Sequence, residues 1–337
     1  TLTMMTELYR DSEDWTGYAS ALGRLAESLK GIAARDVWLE KARIEKAVLH
    51  TESVAAQSLE RAFEVDVDHL ETVQAMVGLA ESRKDWSTLV RGLGRLAALT
   101  ADVEARAQHI LRVGDVYEEH LQEPAMALEY YESAVSLTAG ATETLWRLAQ
   151  YHLKRQNWSK AAPVVDRLVK QSGGLSTVAR RELHYARAQC ASAMGDDRTA
   201  HDHLEEVLTF DNAHRGALGL LSEVAMREGD WATAFRTGNL FLLHHNESLS
   251  KSERADRLYR QGAILEMQER SSDARPYFER ALDAYPEHEA ASRALNEPGT
   301  SRTQIEEELQ TPWVEPDALV DLDDEQDVES GDTEDED

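Results

Sequence analysis

From Leu258 to Pro286 the apolar and small residues fall on one helical stripe that turns back on itself: Leu258, Gly262 and Leu265, then Ala274, Phe278 and Ala281, closed by Pro286. Spacings of three and four place these side chains on single helix faces. Gly262 lets two helices approach closely, Ala274 is the small residue on the returning helix, and Pro286 stops it because proline cannot continue a helix. This stretch predicts a helix, a short turn and a second helix packed antiparallel on the first.

The same arrangement recurs along the chain. Asp14-Trp15, Asp85-Trp86, Asn157-Trp158 and Asp230-Trp231 follow one another at 71, 72 and 73 residues, and Leu22-Gly23-Arg24-Leu25-Ala26 is repeated literally at Leu93-Gly94-Arg95-Leu96-Ala97. A second series, Leu59-Glu60-Arg61-Ala62, Tyr131-Glu132-Ser133-Ala134, Leu204-Glu205-Glu206-Val207 and Phe278-Glu279-Arg280-Ala281, interleaves at 72, 73 and 74 residues. Together they predict eight helix pairs in four modules of about 72 residues. Asp or Asn before the second helix is expected to cap it, and each Trp to fill a largely buried turn. Pro163 and Pro276 stand two residues after the equivalent Ala161 and Ala274, which reads as the tolerated first turn of a second helix.

The pattern of Leu258, Gly262, Leu265, Ala274, Phe278, Ala281 and Pro286 resembles a tetratricopeptide repeat (TPR), with Leu258 where the family prefers Trp, Gln261 where it prefers Leu and Leu265 where it prefers Tyr. The resemblance implies an all-α fold, an α-solenoid in which antiparallel helix pairs form a right-handed superhelix, over residues 1–296. It also implies a non-catalytic scaffold that binds a peptide or helix of a protein partner in the concave groove lined by the first helix of each pair. Carried over position by position, the groove places are Leu111, Trp146, Tyr185, Gly219 and Tyr259, with Asp115, Gln150, Gln189, Glu223 and Ala263 one turn on. Trp146, Gln150, Tyr185, Gln189 and Tyr259 are the candidate partner-binding residues, the rings giving contact area and the amides pairing with a peptide backbone. The bland alternative is that the rings pack between neighbouring units.

Charge changes the picture at the C-terminal end. The chain of 337 residues has net charge −27, and residues 302–337 hold sixteen acidic residues against one Arg. Residues 297–337 lack the helical period and are expected to be a disordered acidic tail, since so few apolar groups cannot offset the cost of ordering the chain. Within it Trp313, Leu319 and Leu322 form a candidate docking segment, with the Trp146 and Tyr185 surface as one possible seat; a solvated brush is the competing reading. The tail opens a second functional class, a chaperone shielding basic clients. A third reading is the regulatory repeat region of a larger enzyme whose catalytic part lay before Thr1, because the pattern begins inside or just before its first helix.

No catalytic constellation is legible. His201 and His203 point about 200° apart on a helix and cannot grip one ion. Cys190 stands alone, which excludes an intrachain disulfide and fits a reducing, cytoplasmic-type compartment. There is no phosphate loop or spaced Cys/His cluster, so no cofactor, metal or enzyme activity is expected. The longest basic runs are pairs such as Arg180-Arg181, which gives no footprint for nucleic acid, and no apolar run is long enough for a membrane span.

Overall fold

The computed structural model describes residues 2–296 together with Ile305 and Leu309. Among the described residues there are seventeen α-helices and no strand. The first helices of the pairs are α1 (Leu2–Asp11), α3 (Ile32–Ala47), α5 (Leu70–Ser82), α7 (Val103–Asp115), α9 (Thr142–Lys154), α11 (Thr177–Ala193), α13 (Arg215–Glu228) and α15 (Lys251–Met267). Their second helices are α2 (Trp15–Ser28), α4 (Glu52–Val65), α6 (Trp86–Leu99), α8 (Pro124–Leu137), α10 (Trp158–Gln171), α12 (Asp197–Phe210), α14 (Trp231–His245) and α16 (Ser271–Ala284). A last helix, α17 (Glu289–Asn296), packs on α16. The described residues fall into two compact bodies, one ending at Leu148 and one starting at Ala149.

Each second helix begins three residues before the small or apolar position that marks the repeat, so Tyr18, Ala55, Leu89, Ala127, Ala161, Ala200, Ala234 and Ala274 are all its fourth residue, and all are buried. This corrects the reading of Pro163 and Pro276. Both lie at the sixth residue, inside α10 and α16. The helices start earlier than the prolines suggested because Trp158 and Ser271 already have helical geometry. Pro124, at the first residue of α8, takes the first-turn place.

The eight turns within pairs share one construction. The residue before each cap has a positive φ: Glu13, His50, Lys84, Gln122, Gln156, Gly195, Gly229 and Glu269. The next residue's N–H then reaches back to a carbonyl of the first helix, as in Asp85 N to Ala80 O at 2.8 Å and Arg270 N to Leu265 O at 2.9 Å. This is the Schellman closure of a helix end, followed at once by the start of the next helix. Asp14, Asp85, Asp196 and Asp230 accept from the backbone N–H three residues on, whereas Asn157 makes no side-chain cap bond. The four tryptophans are half-buried rather than largely buried, because each sits at the first residue of its helix with one edge open to solvent.

Helix pairs close on a small residue of the first helix. A Cβ on Gly262 would lie 2.5 Å from the Phe278 ring, and one on Gly114 would lie 2.6 Å from the Tyr131 ring. Gly262 is twelve residues before Ala274, but Gly114 is thirteen before Ala127. The extra residue is absorbed by a π-helical turn, Val116–His120, at the end of α7. That turn lays the His120 ring on Trp86, with centroids 3.7 Å apart and planes 12° from parallel.

Candidate interaction surface

Counting from the small close-packed residue of each first helix, Gly114, Ala149, Ala188, Ser222 or Gly262, gives equivalent places without reference to any other protein. Three residues before it stand Leu111, Trp146, Tyr185, Gly219 and Tyr259. All but Trp146 are buried. Tyr185 packs its ring 4.8 Å from His214, and its hydroxyl lies against Gly216, where an added Cβ would come within 2.1 Å. Tyr259 lies 5.6 Å from Phe278 and 5.3 Å from His288. These two rings therefore join neighbouring helices. Trp146 is half-buried, and its indole Nε1 is enclosed without a hydrogen-bond partner among the described residues.

One residue after the small position stand Asp115, Gln150, Gln189, Glu223 and Ala263. The four polar ones are half-buried, while Ala263 is buried. In the first body Asp115 accepts from the Tyr131 hydroxyl at 2.8 Å and from Arg147 Nη2 at 2.8 Å, with Glu118 also 3.0 Å from that hydroxyl. Burial raises the Asp115 carboxyl above the ordinary carboxylate value, partly opposed by the Arg147 charge. The Tyr131 hydroxyl is raised far out of range, by burial first and then by the Asp115 charge. In the second body Gln150, Gln189 and Glu223 occupy the same place on α9, α11 and α13. Five residues after the small position, Glu119, Lys154, Ala193 and Arg227 are exposed, but Met267 is buried.

Trp146 lies in the first body, and Gln150, Tyr185, Gln189 and Tyr259 in the second. Trp313, Leu319 and Leu322 lie outside the described residues. Two residues that the charge pattern assigned to the tail, Ile305 and Leu309, are instead helical and buried, and they belong to the apolar cluster that includes Met226, Tyr259, Ala263 and Met267. Their signal was an apolar pair four residues apart among carboxylates. The surrounding charge outweighed it.

Among the described residues no group of three His, Cys, Asp or Glu is placed to hold a metal ion, and no helix is long and apolar enough to cross a membrane. His203 meets His184 rather than His201, Nδ1 to Nδ1 at 3.0 Å. Cys190 is buried, and burial pushes its thiol up to about 11, away from nucleophile chemistry.

A family model, Tetratricopeptide repeat, matches residues 258–288. No curated protein matches the sequence. Among solved structures, the C-terminal part of a TPR repeat-containing protein from Cytophaga hutchinsonii is similar at TM-score 0.53 and 12% identity, covering 78% of this chain and 98% of that one. A chain of the Naa15/Naa10 assembly bound to HypK-THB is similar at TM-score 0.57 and 14% identity, covering 88% of this chain and 44% of that one. At such identities the likeness is one of fold, and it agrees with the repeat counted from the residues. The chain is a TPR-like helical-repeat protein, all-α throughout its described residues, with a tetratricopeptide repeat at 258–288.

Proposed function

We propose that the protein is a non-catalytic scaffold that binds an extended peptide or a helix of a partner protein along the first helices of its second body. The observation that carries this reading is the polar strip of Gln150, Gln189 and Glu223. These residues recur at one place of consecutive first helices and stay half-exposed where the residues beside them are buried. Each glutamine amide offers donors and an acceptor, which suits the alternating N–H and C=O groups of a peptide backbone. Glu223 adds a negative charge that favours a basic or amide-bearing residue at that step.

The test is selection of peptides from a displayed library on the full chain, followed by titration of the winners against Gln150→Ala/Gln189→Ala/Glu223→Ala. Affinity is expected to fall by at least about tenfold, roughly 1.4 kcal/mol, with helicity and melting unchanged. Unaltered affinity would place the binding surface elsewhere.

A further inference from the structure

The last pair departs from the others at the face just described. Five residues after the small position the chain carries Glu119, Lys154, Ala193 and Arg227, all exposed. The equivalent residue of α15 is Met267, and it is 3% exposed; Ala263, one turn before it, is 1% exposed. Stacking of the next helix does not explain this. In the second body α11 has both α10 and α12–α13 packed on it, yet Ala193 stays open. What α15 has in addition is Ile305 and Leu309, both helical, both buried, and both in one apolar cluster with Met226, Ala263 and Met267. Arg260 Nη1 also donates to the Leu309 carbonyl, at 3.5 Å.

We infer that the face of α15 carrying Ala263 and Met267 is a docking site for an amphipathic helical segment, and that this chain seats its own Ile305 and Leu309 there. The occupant it fits is a helix with two apolar side chains one turn apart, flanked by carboxylates, as in Gln304-Ile305-Glu306-Glu307-Glu308-Leu309. Spacing of four puts both anchors on one side of a helix, in the apolar cluster that also holds Met267. A partner of that chemistry competes with the chain's own segment, so the apparent affinity is reduced by the fraction of molecules that are closed. The inference rests on reading the first-helix faces as the binding surface, and adds to it the partner class for the last pair.

The experiment uses the full chain and Ile305→Asp/Leu309→Asp, with a fluorescent peptide of residues 300–312 as probe. The peptide is expected to bind the variant at least about tenfold more tightly than the natural chain, and Met267→Lys in the variant is expected to abolish that binding. Peroxide oxidation of Met267, followed by mass spectrometry, gives a second reading, slow in the natural chain and fast in the variant until peptide is added. Equal peptide binding by both proteins, or Met267 oxidised equally fast in both, would overturn the inference. So would loss of helical signal in the variant, since the two residues would then be holding the last pair together. Loss of peptide binding here, while library-selected peptides still depend on Gln150, Gln189 and Glu223, removes this inference alone.

Discussion

Gly262 and Phe278 show how a single residue sets the distance between two helices. The same two places hold Gly114 with Tyr131, but Ala188 with Leu204 and Ala149 with Val165. The ring is tolerated where the opposing side chain is absent, and a methyl is tolerated where the ring is replaced by a branched aliphatic. Gly262→Ala should therefore destabilise the last pair by about 1–3 kcal/mol through overpacking, because its Cβ would meet Phe278 at 2.5 Å. Adding Phe278→Leu should return part of that loss, with a favourable coupling in a double-mutant cycle of thermal melts. If the two changes are simply additive, the contact does not set the spacing. This complementarity is legible in part: spacing marks Gly262 as the point of close approach and puts Phe278 on the buried stripe, but not that the ring of Phe278 is what Gly262 makes room for. The role of Tyr185 was not, because a tyrosine at a groove place reads the same whether its ring faces a ligand or the next helix. Only the position of Gly216 beside its hydroxyl decides between them.

At the level of elements, the turns repeat more faithfully than the sequence does. Six of the eight left-handed residues are not glycine, so the motif left no compositional mark to read. A non-glycine residue in this region costs roughly 1–2 kcal/mol. Lys84→Gly, at φ 56° and exposed, should raise the stability of the first body by about 1 kcal/mol, somewhat offset by the greater freedom of glycine in the unfolded chain. A lower melting temperature for this variant would count against the turn geometry. The pairing of α11 with α12 carries a different dependence. Burial lowers both His184 and His203, and the 3.0 Å contact between their Nδ1 atoms requires one donor and one acceptor. Asp166 from α10, with Glu206 and Asp202 from α12, partly offsets burial, while Arg180 and Arg187 from α11 add to it. Since both folded values lie below the unfolded one of about 6.5, their stabilisation is complete above that pH and is lost as pH falls through the folded values. Melting of the second body should decline on acidification below about pH 6.5, and His203→Gln should flatten the decline. An unchanged pH profile in that variant would exclude the pair as its source.

Over the whole molecule, successive pairs are tied by ion pairs between residues about thirty apart in sequence. In the first body Arg43 of α3 meets Glu71 of α5, Arg112 meets Glu81 at 2.8 Å and Arg147 meets Asp115 at 2.8 Å, while in the second Arg227 meets Asp197. Such exposed or half-buried pairs add little energy each, but they recur with the repeat and set a polar contact beside the apolar one at these junctions. The all-α class was readable because period and small-residue spacing survive where sequence identity does not. The break at Leu148 was not readable, since the helical period runs through α9 without interruption. Nor was the place of Ile305 and Leu309, because two anchors among many carboxylates carry less weight in composition than in contact.

The π turn at Val116–His120 has a consequence for how this array varies in length. One added residue in a rigid α-helix would rotate everything after it by about 100° and turn the apolar stripe of that helix away from its partner. Here the added residue is confined to a single wide turn at the helix end, and Tyr131 still meets Gly114 as Phe278 meets Gly262. The joint acts as a splice that tolerates a change of count without a change of phase. Insertions and deletions in relatives of this array are then expected to collect at the ends of first helices, and a repeat frame kept at constant length would lose its register there while the fold kept its own.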